Sequence, residues 1–135
     1  MPVFGSGVST TEQRIQGFLQ EIKKYPNIKP LATQYVGDNP SKAAQAITAL
    51  YSAHPDLPGV FATNVLVAQG VDTGLKTAGV AKKVKIIGYD ADPTQVADLK
   101  SGDVAAHLQE QLLTRLGDRQ ERGVTEGLAP LSRLA

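Results

Sequence analysis

The sequence predicts an α/β fold: a doubly wound, flavodoxin-like, five-stranded parallel sheet. Two patterns carry that expectation. Short apolar runs suited to buried strands alternate with amphipathic stretches of helical period. Gly, Pro, Asn and Asp punctuate each change from one to the other. A third observation sets the scale: 135 residues, 41% hydrophobic and 20% charged, describe one ordinary globular domain with enough chain for a real core.

Pro2 to Phe4 is the first apolar run, and it enters Gly5-Ser6-Gly7. Ser9, Thr10 and Thr11 offer N-caps, with Glu12 in the first turn of a helix. Ile15, Phe18, Leu19 and Ile22 give that helix its apolar stripe, and Tyr25-Pro26-Asn27 ends it. Residues 30–36 (PLATQYV) read as the second strand. After the loop Gly37-Asp38-Asn39-Pro40, Asn39 is placed as N-cap and Pro40 at the first helical position. Ala44, Ile47, Leu50 and Tyr51 carry the helix to its stop at His54-Pro55.

The alternation then repeats. Leu57 to Ala62 is a strand, Val67 to Ala78 a helix closed by Gly79, and Val84 to Gly88 a strand. Pro93 to Lys100 reads as a helix stopped by Gly102, and Val104 to Leu108 as the last strand. Strands joined through helices need parallel pairing and helices on both faces. Right-handed crossovers then favour double winding. From Leu112 onward the chain carries four Arg, three Gly and no strand pattern. Residues 1–111 are therefore read as one lobe and 112–135 as an atypical tail.

In an open parallel sheet, ligands bind beyond the carboxyl ends of the strands. The residues that fall there include Asp38, Asn39, Asn64, Asp90 and Glu110, with Arg14 on the first turns of the first helix. Planar carboxylate, amide and guanidinium groups match hydroxyl-rich ligands, because each hydroxyl both donates and accepts. Bland readings stand beside this one. Asp90 equally suits a cap for the helix near Pro93, Asn64 a cap for the helix after the third strand, and Arg14 an exposed helix position.

Other chemistries find no support. Gly5-x-Gly7-x-x-Thr10 lacks the third glycine of a dinucleotide fingerprint, and Lys23, Lys24 and Lys29 occupy the window of its acidic partner. No Gly-Lys-Ser/Thr ending makes a P-loop, and no acidic pair follows the first strand to hold magnesium. His54 sits in a helix-ending turn and His107 in a strand, so neither a nucleophile–base pair nor a metal site is legible. Enzyme activity, a metal and a cofactor are all unexpected. A net charge of +1 with scattered Lys and Arg argues against nucleic acid. Lys82, Lys83 and Lys85 read as a solvated strand entrance. Cysteine is absent, which excludes disulfides. No apolar run reaches the roughly 18–20 residues a membrane helix needs. MPVFGSG shows no signal-peptide pattern, which taken literally points to the cytoplasm.

Four segments carry a family resemblance when taken in order: TTEQRIQGFLQEIKKYPNIK, SKAAQAITALYSAHPDLPGVFATN, AQGVDTGLKTAG and VKIIGYDADPTQVADLKSGDVAA. With Arg-x-x-Gly-Phe, His-Pro-Asp-x-x-Gly-Val-Phe-Ala-x-Asn and Ile-Gly-Tyr-Asp in series, residues 9–111 resemble the carboxy-terminal lobe of type I periplasmic binding proteins, in the ribose-like sugar-receptor branch. The resemblance implies a two-lobed receptor of an ABC transporter that closes on a monosaccharide by a hinge. It implies ligand-binding roles for Arg14, for Asn64 after Phe-Ala and for Asp90 after Gly-Tyr. A family glutamine after the last strand falls on Glu110 counted from Gly102, or on Gln111 counted back from Gly117.

The chain also departs from the family pattern. The stacking aromatic expected near Asp38-Asn39 is missing, and Val65 stands where an acidic residue often follows the asparagine. The amino-terminal lobe and the later hinge crossings are missing too, so a fragment or shortened product is expected. Its exposed half-cleft would bind sugar weakly and favour a homodimer. The resemblance implies a periplasmic or extracellular address and a permease as the partner of a full-length receptor. Two other readings compete: the effector domain of a transcriptional repressor of the same fold, for which no helix-turn-helix is present, and a remnant that binds nothing.

Overall fold

The computed structural model describes residues 1–90, residue 100 and the strand over residues 104–108. Five strands form one parallel sheet: β1 (Val3–Gly5), β2 (Gln34–Tyr35), β3 (Gly59–Ala62), β4 (Lys85–Tyr89) and β5 (Val104–Leu108). Three helices connect the first four: α1 (Ser9–Ile22), α2 (Pro40–Ala53) and α3 (Val65–Thr77). The spatial order is β2-β1-β3-β4-β5, so the winding reverses between β1 and β3. This is the doubly wound, flavodoxin-like arrangement that the alternating pattern predicts. The predicted helix over 93–100 and the tail 112–135 lie outside the described residues, Lys100 excepted.

The two faces of the sheet hold separate apolar layers. Phe4, Val60, Ala62 and Ile86 point to one side, where Ala43 and Ile47 of α2 and Val67, Val71 and Leu75 of α3 cover them. Val3 and Phe61 point to the other side, against Ile15 of α1. Alternation along each strand sends neighbours to opposite faces, so strands covered on both sides read as unbroken apolar runs. Phe18 of α1 lies flat on Phe61, with ring centroids 4.3 Å apart and planes 6° from parallel. That stack pins α1 over β3.

Glycines set the approach of α2 to α3. A Cβ on Gly74 would stand 2.6 Å from the Ala44 carbonyl oxygen, and one on Gly70 would collide with the Pro40 carbonyl. Only hydrogen fits at this crossing. At its far end, α3 closes as the sequence predicts. Gly79 turns left-handed (φ 70°), the Val80 amide bonds the Leu75 carbonyl, and the Gly79 amide bonds the Lys76 carbonyl. These two bonds define a Schellman motif.

Several local expectations need correction. Ser9, Thr10 and Thr11 do not cap α1, because the helix begins at Ser9 and the cap position is Val8, which supplies no side-chain bond. Thr11 instead donates to the Val8 carbonyl and bonds the Ser6 hydroxyl, a local satisfaction that competes with capping. The second strand is two residues long rather than seven. Pro30 has no amide to offer the ladder, and the Gln34 side chain bonds the Ala32 carbonyl. The third strand starts at Gly59 instead of Leu57, after Pro58. The third helix starts two residues early, at Val65, because Asn64 caps it. The first helix ends at Ile22, before the Tyr25-Pro26 signal.

Candidate functional site

Every strand is parallel, so the carboxyl ends gather at one rim, and the switch between β1 and β3 opens that rim to a ligand. Three segments meet there: the start of α1, the end of β3 and the end of β4. Arg14 reaches from α1 and donates from Nη1 to the Thr63 carbonyl at 2.8 Å. The same nitrogen lies 3.5 Å from Asp90 Oδ2, just past β4. The guanidinium carbon sits 3.8 Å above the centre of the Tyr89 ring. Arg14 is therefore no exposed helix residue: its side chain keeps only 15% of its accessible surface, against 41% for Asp90. A charge so covered is stabilised by a carbonyl, a carboxylate and an aromatic face together.

Asn64 extends the cluster towards β2. Its Oδ1 accepts the Val67 amide at 2.9 Å and caps α3, while its Nδ2 donates to Asp38 Oδ1 at 2.7 Å. The capping reading of Asn64 is thus correct. Capping also fixes the amide plane and aims the Nδ2 edge at the rim. Asn39 caps α2 in the same way, accepting the Lys42 amide at 3.0 Å. It belongs to the helix rather than to the polar cluster.

Arg14, Asn64 and Asp90 are thus brought to one rim, joined by the continuous backbone of Thr63 and Asn64 between them. Glu110 and Gln111 lie outside the described residues, as does any helix that Asp90 would cap. Three further residues at or just past the strand ends, given no ligand role by the sequence, also contribute. Tyr89 is one, the last residue of β4, in the GYD run. Asp38 is the second, placed at the rim but not in the site. The third is Thr63, fully buried, with its hydroxyl lacking a partner among the described residues.

At the outer edge, Tyr35 is 59% exposed and donates to Glu12 Oε2 at 3.2 Å. Its phenol is pushed above the ordinary tyrosine value, first by partial desolvation and then by the bond to, and the charge of, the Glu12 carboxylate.

A switch-point α/β domain with a guanidinium, carboxylates and an amide on its carboxyl rim defines a class of small-molecule-binding domains. The chain belongs to the periplasmic binding protein domain family, whose model matches residues 4–110. It is 33% identical over 112 residues to the ribose import binding protein of Salmonella typhimurium, covering 83% of this chain and 37% of that protein. It is also 33% identical over 103 residues to the D-ribose/D-allose-binding protein of Pseudomonas aeruginosa, covering 74% and 32%.

Among solved structures, an ABC transporter solute binding protein from Agrobacterium vitis, bound with α-D-tagatopyranose, superposes with a TM-score of 0.72 at 40% identity, over 78% of this chain and 37% of that one. A carbohydrate transporter solute binding protein from Agrobacterium radiobacter, in complex with D-arabinose, gives a TM-score of 0.75 at 35% identity, over 80% and 38%. The chain spans about a third of these relatives' length, between 32% and 38%. No helix among the described residues is long and apolar enough to cross a membrane.

Proposed function

We propose that this chain is the carboxy-terminal lobe of a non-enzymatic monosaccharide receptor serving an ABC transporter, with Arg14, Asn64 and Asp90 contacting the sugar. One observation carries the reading. The Arg14 guanidinium and the Asp90 carboxylate lie 3.5 Å apart at the mouth of the switch point, a donor–acceptor pair that a sugar's vicinal hydroxyls can bridge. Asn64 and Asp38 extend the pair with an amide and a second carboxylate, 2.7 Å apart. The proposed contact from beyond β5 is Glu110 or Gln111. The named ligands of the relatives, among them ribose, allose and arabinose, support a pentose or hexose as ligand.

A receptor of this kind works outside the cytoplasmic membrane and delivers its sugar to a permease. One lobe offers only part of the hydrogen bonding and cannot exclude water, so binding by this chain is weak, and its open rim favours self-association. Titration calorimetry against D-ribose, D-allose, D-arabinose and D-tagatose tests the reading. Saturable binding of at least one of them is expected. A folded protein that takes up none of the four ends the proposal.

A further inference from the structure

We propose that Tyr89 is a positioning residue for the Arg14 guanidinium. This rests on the sugar-binding reading of the same rim. The Arg14 carbon at the centre of the guanidinium stands 3.8 Å from the centre of the Tyr89 ring, and Nη1 is tied to the Thr63 carbonyl at 2.8 Å. These supports come from different elements: Tyr89 ends β4, Thr63 follows β3, and Arg14 stands on α1. β3 and β4 are neighbours in the sheet, with Phe61 opposite Ile87. Their register therefore sets where the ring and the carbonyl lie, and so where the guanidinium rests.

An arginine side chain has several freely rotating bonds whose freedom it must give up on binding. A guanidinium already held against a ring has lost much of it before the ligand arrives, which is how pre-organisation raises affinity. Tyr89 is well placed to give that support without moving, since its ring packs with Val3, Ile15 and Phe61 in the layer beneath α1. The ring is what matters: a phenyl face carries the same attraction for a cation as a phenol face. A leucine fills comparable space without it.

The test has two arms on the full chain. In the first, side-chain NMR follows the Arg14 Nε–Hε group, assigned with Arg14→Lys. A resonance displaced upfield by the ring current and a high order parameter are expected for the parent protein. Tyr89→Phe retains both, whereas Tyr89→Leu and Tyr89→Met lose both. A parent signal that is undisplaced and freely mobile overturns the proposal even if neither variant folds, and so does one unchanged in Tyr89→Leu.

In the second arm, D-ribose is titrated. Tyr89→Leu weakens binding roughly 10-fold, Tyr89→Phe less than about 2-fold, and Tyr89→Leu adds nothing in an Arg14→Ala background. An equal loss with and without Arg14 would show that Tyr89 acts on its own, against the proposal. If the parent chain takes up no sugar, the functional reading fails while the NMR arm still decides the role of Tyr89.

Discussion

Arg14 Nη1 lies 3.5 Å from Asp90 Oδ2, and Asp90 holds that place on a left-handed backbone, with φ at 61°. It is the one residue other than glycine with positive φ among the described residues. Asp tolerates this region better than most side chains, yet it still carries strain that an ordinary loop avoids.

That geometry separates a binding carboxylate from a structural one. Asp90→Gly relieves the backbone and keeps stability within about 0.5 kcal/mol, while Asp90→Ala costs about 1 kcal/mol. Both variants lose sugar binding while remaining folded. Thermal unfolding beside calorimetry checks this, and an Asp90→Gly protein that no longer folds would mark the carboxylate as a structural cap.

Asn64 does two jobs that a single substitution can split. Asn64→Ala removes the cap on α3 and costs about 1 kcal/mol, a fall in Tm of roughly 3–5 °C. Asn64→Ser keeps a capping oxygen but no Nδ2 donor, so Tm stays near the parent value while sugar affinity drops. Equal affinity for the parent and the Ser variant would remove Asn64 from the ligand contacts.

Two helix glycines respond in opposite directions to the same change. Gly17→Ala meets nothing within 4 Å and stabilises by about 0.5–1 kcal/mol through helix propensity. Gly74→Ala forces a methyl to 2.6 Å from the Ala44 carbonyl oxygen. Overpacking of that kind outweighs the propensity gain, with a net loss of about 1–2 kcal/mol. Denaturant unfolding of both variants measures the contrast, and a stabilised Gly74→Ala would mean that α2 can move away from α3.

Tyr35 titrates above its ordinary value because of partial desolvation and the nearby Glu12 carboxylate. Its neutral form is favoured in the folded protein. The associated stability is therefore present below the unfolded tyrosine pKa of about 10 and is lost as pH rises through the higher folded pKa. Phenolate absorbance of the parent and of Glu12→Gln should show one tyrosine titrating earlier in the variant. Superimposable curves would refute the contact.

The legible parts of the molecule were those with local causes. Asn39-Pro40 starts α2 and Gly79 closes α3, because a cap is settled within four residues of chain. The parallel, doubly wound sheet followed from strand and helix alternation, since few crossovers satisfy handedness and burial. Where two local solutions compete, sequence reasoning erred. Ser9, Thr10 and Thr11 all look like caps, yet Thr11 bonds Val8 and Ser6 instead. The run PLATQYV looks like a strand throughout, yet only Gln34 and Tyr35 lie in the ladder.

By itself, then, the sequence determined the layered α/β class, the order of the described elements and the rim on which polar side chains collect. The tertiary structure alone decided what those side chains do to each other. Arg14 meets a carbonyl 49 residues away, Asn64 meets Asp38 across 26 residues, and Tyr89 comes to lie beneath a guanidinium from another element. The physical reason is that hydrophobic period and capping are written within one or two turns of chain. A hydrogen bond across the rim depends on sheet order and register, which exist only once both faces of the sheet have packed.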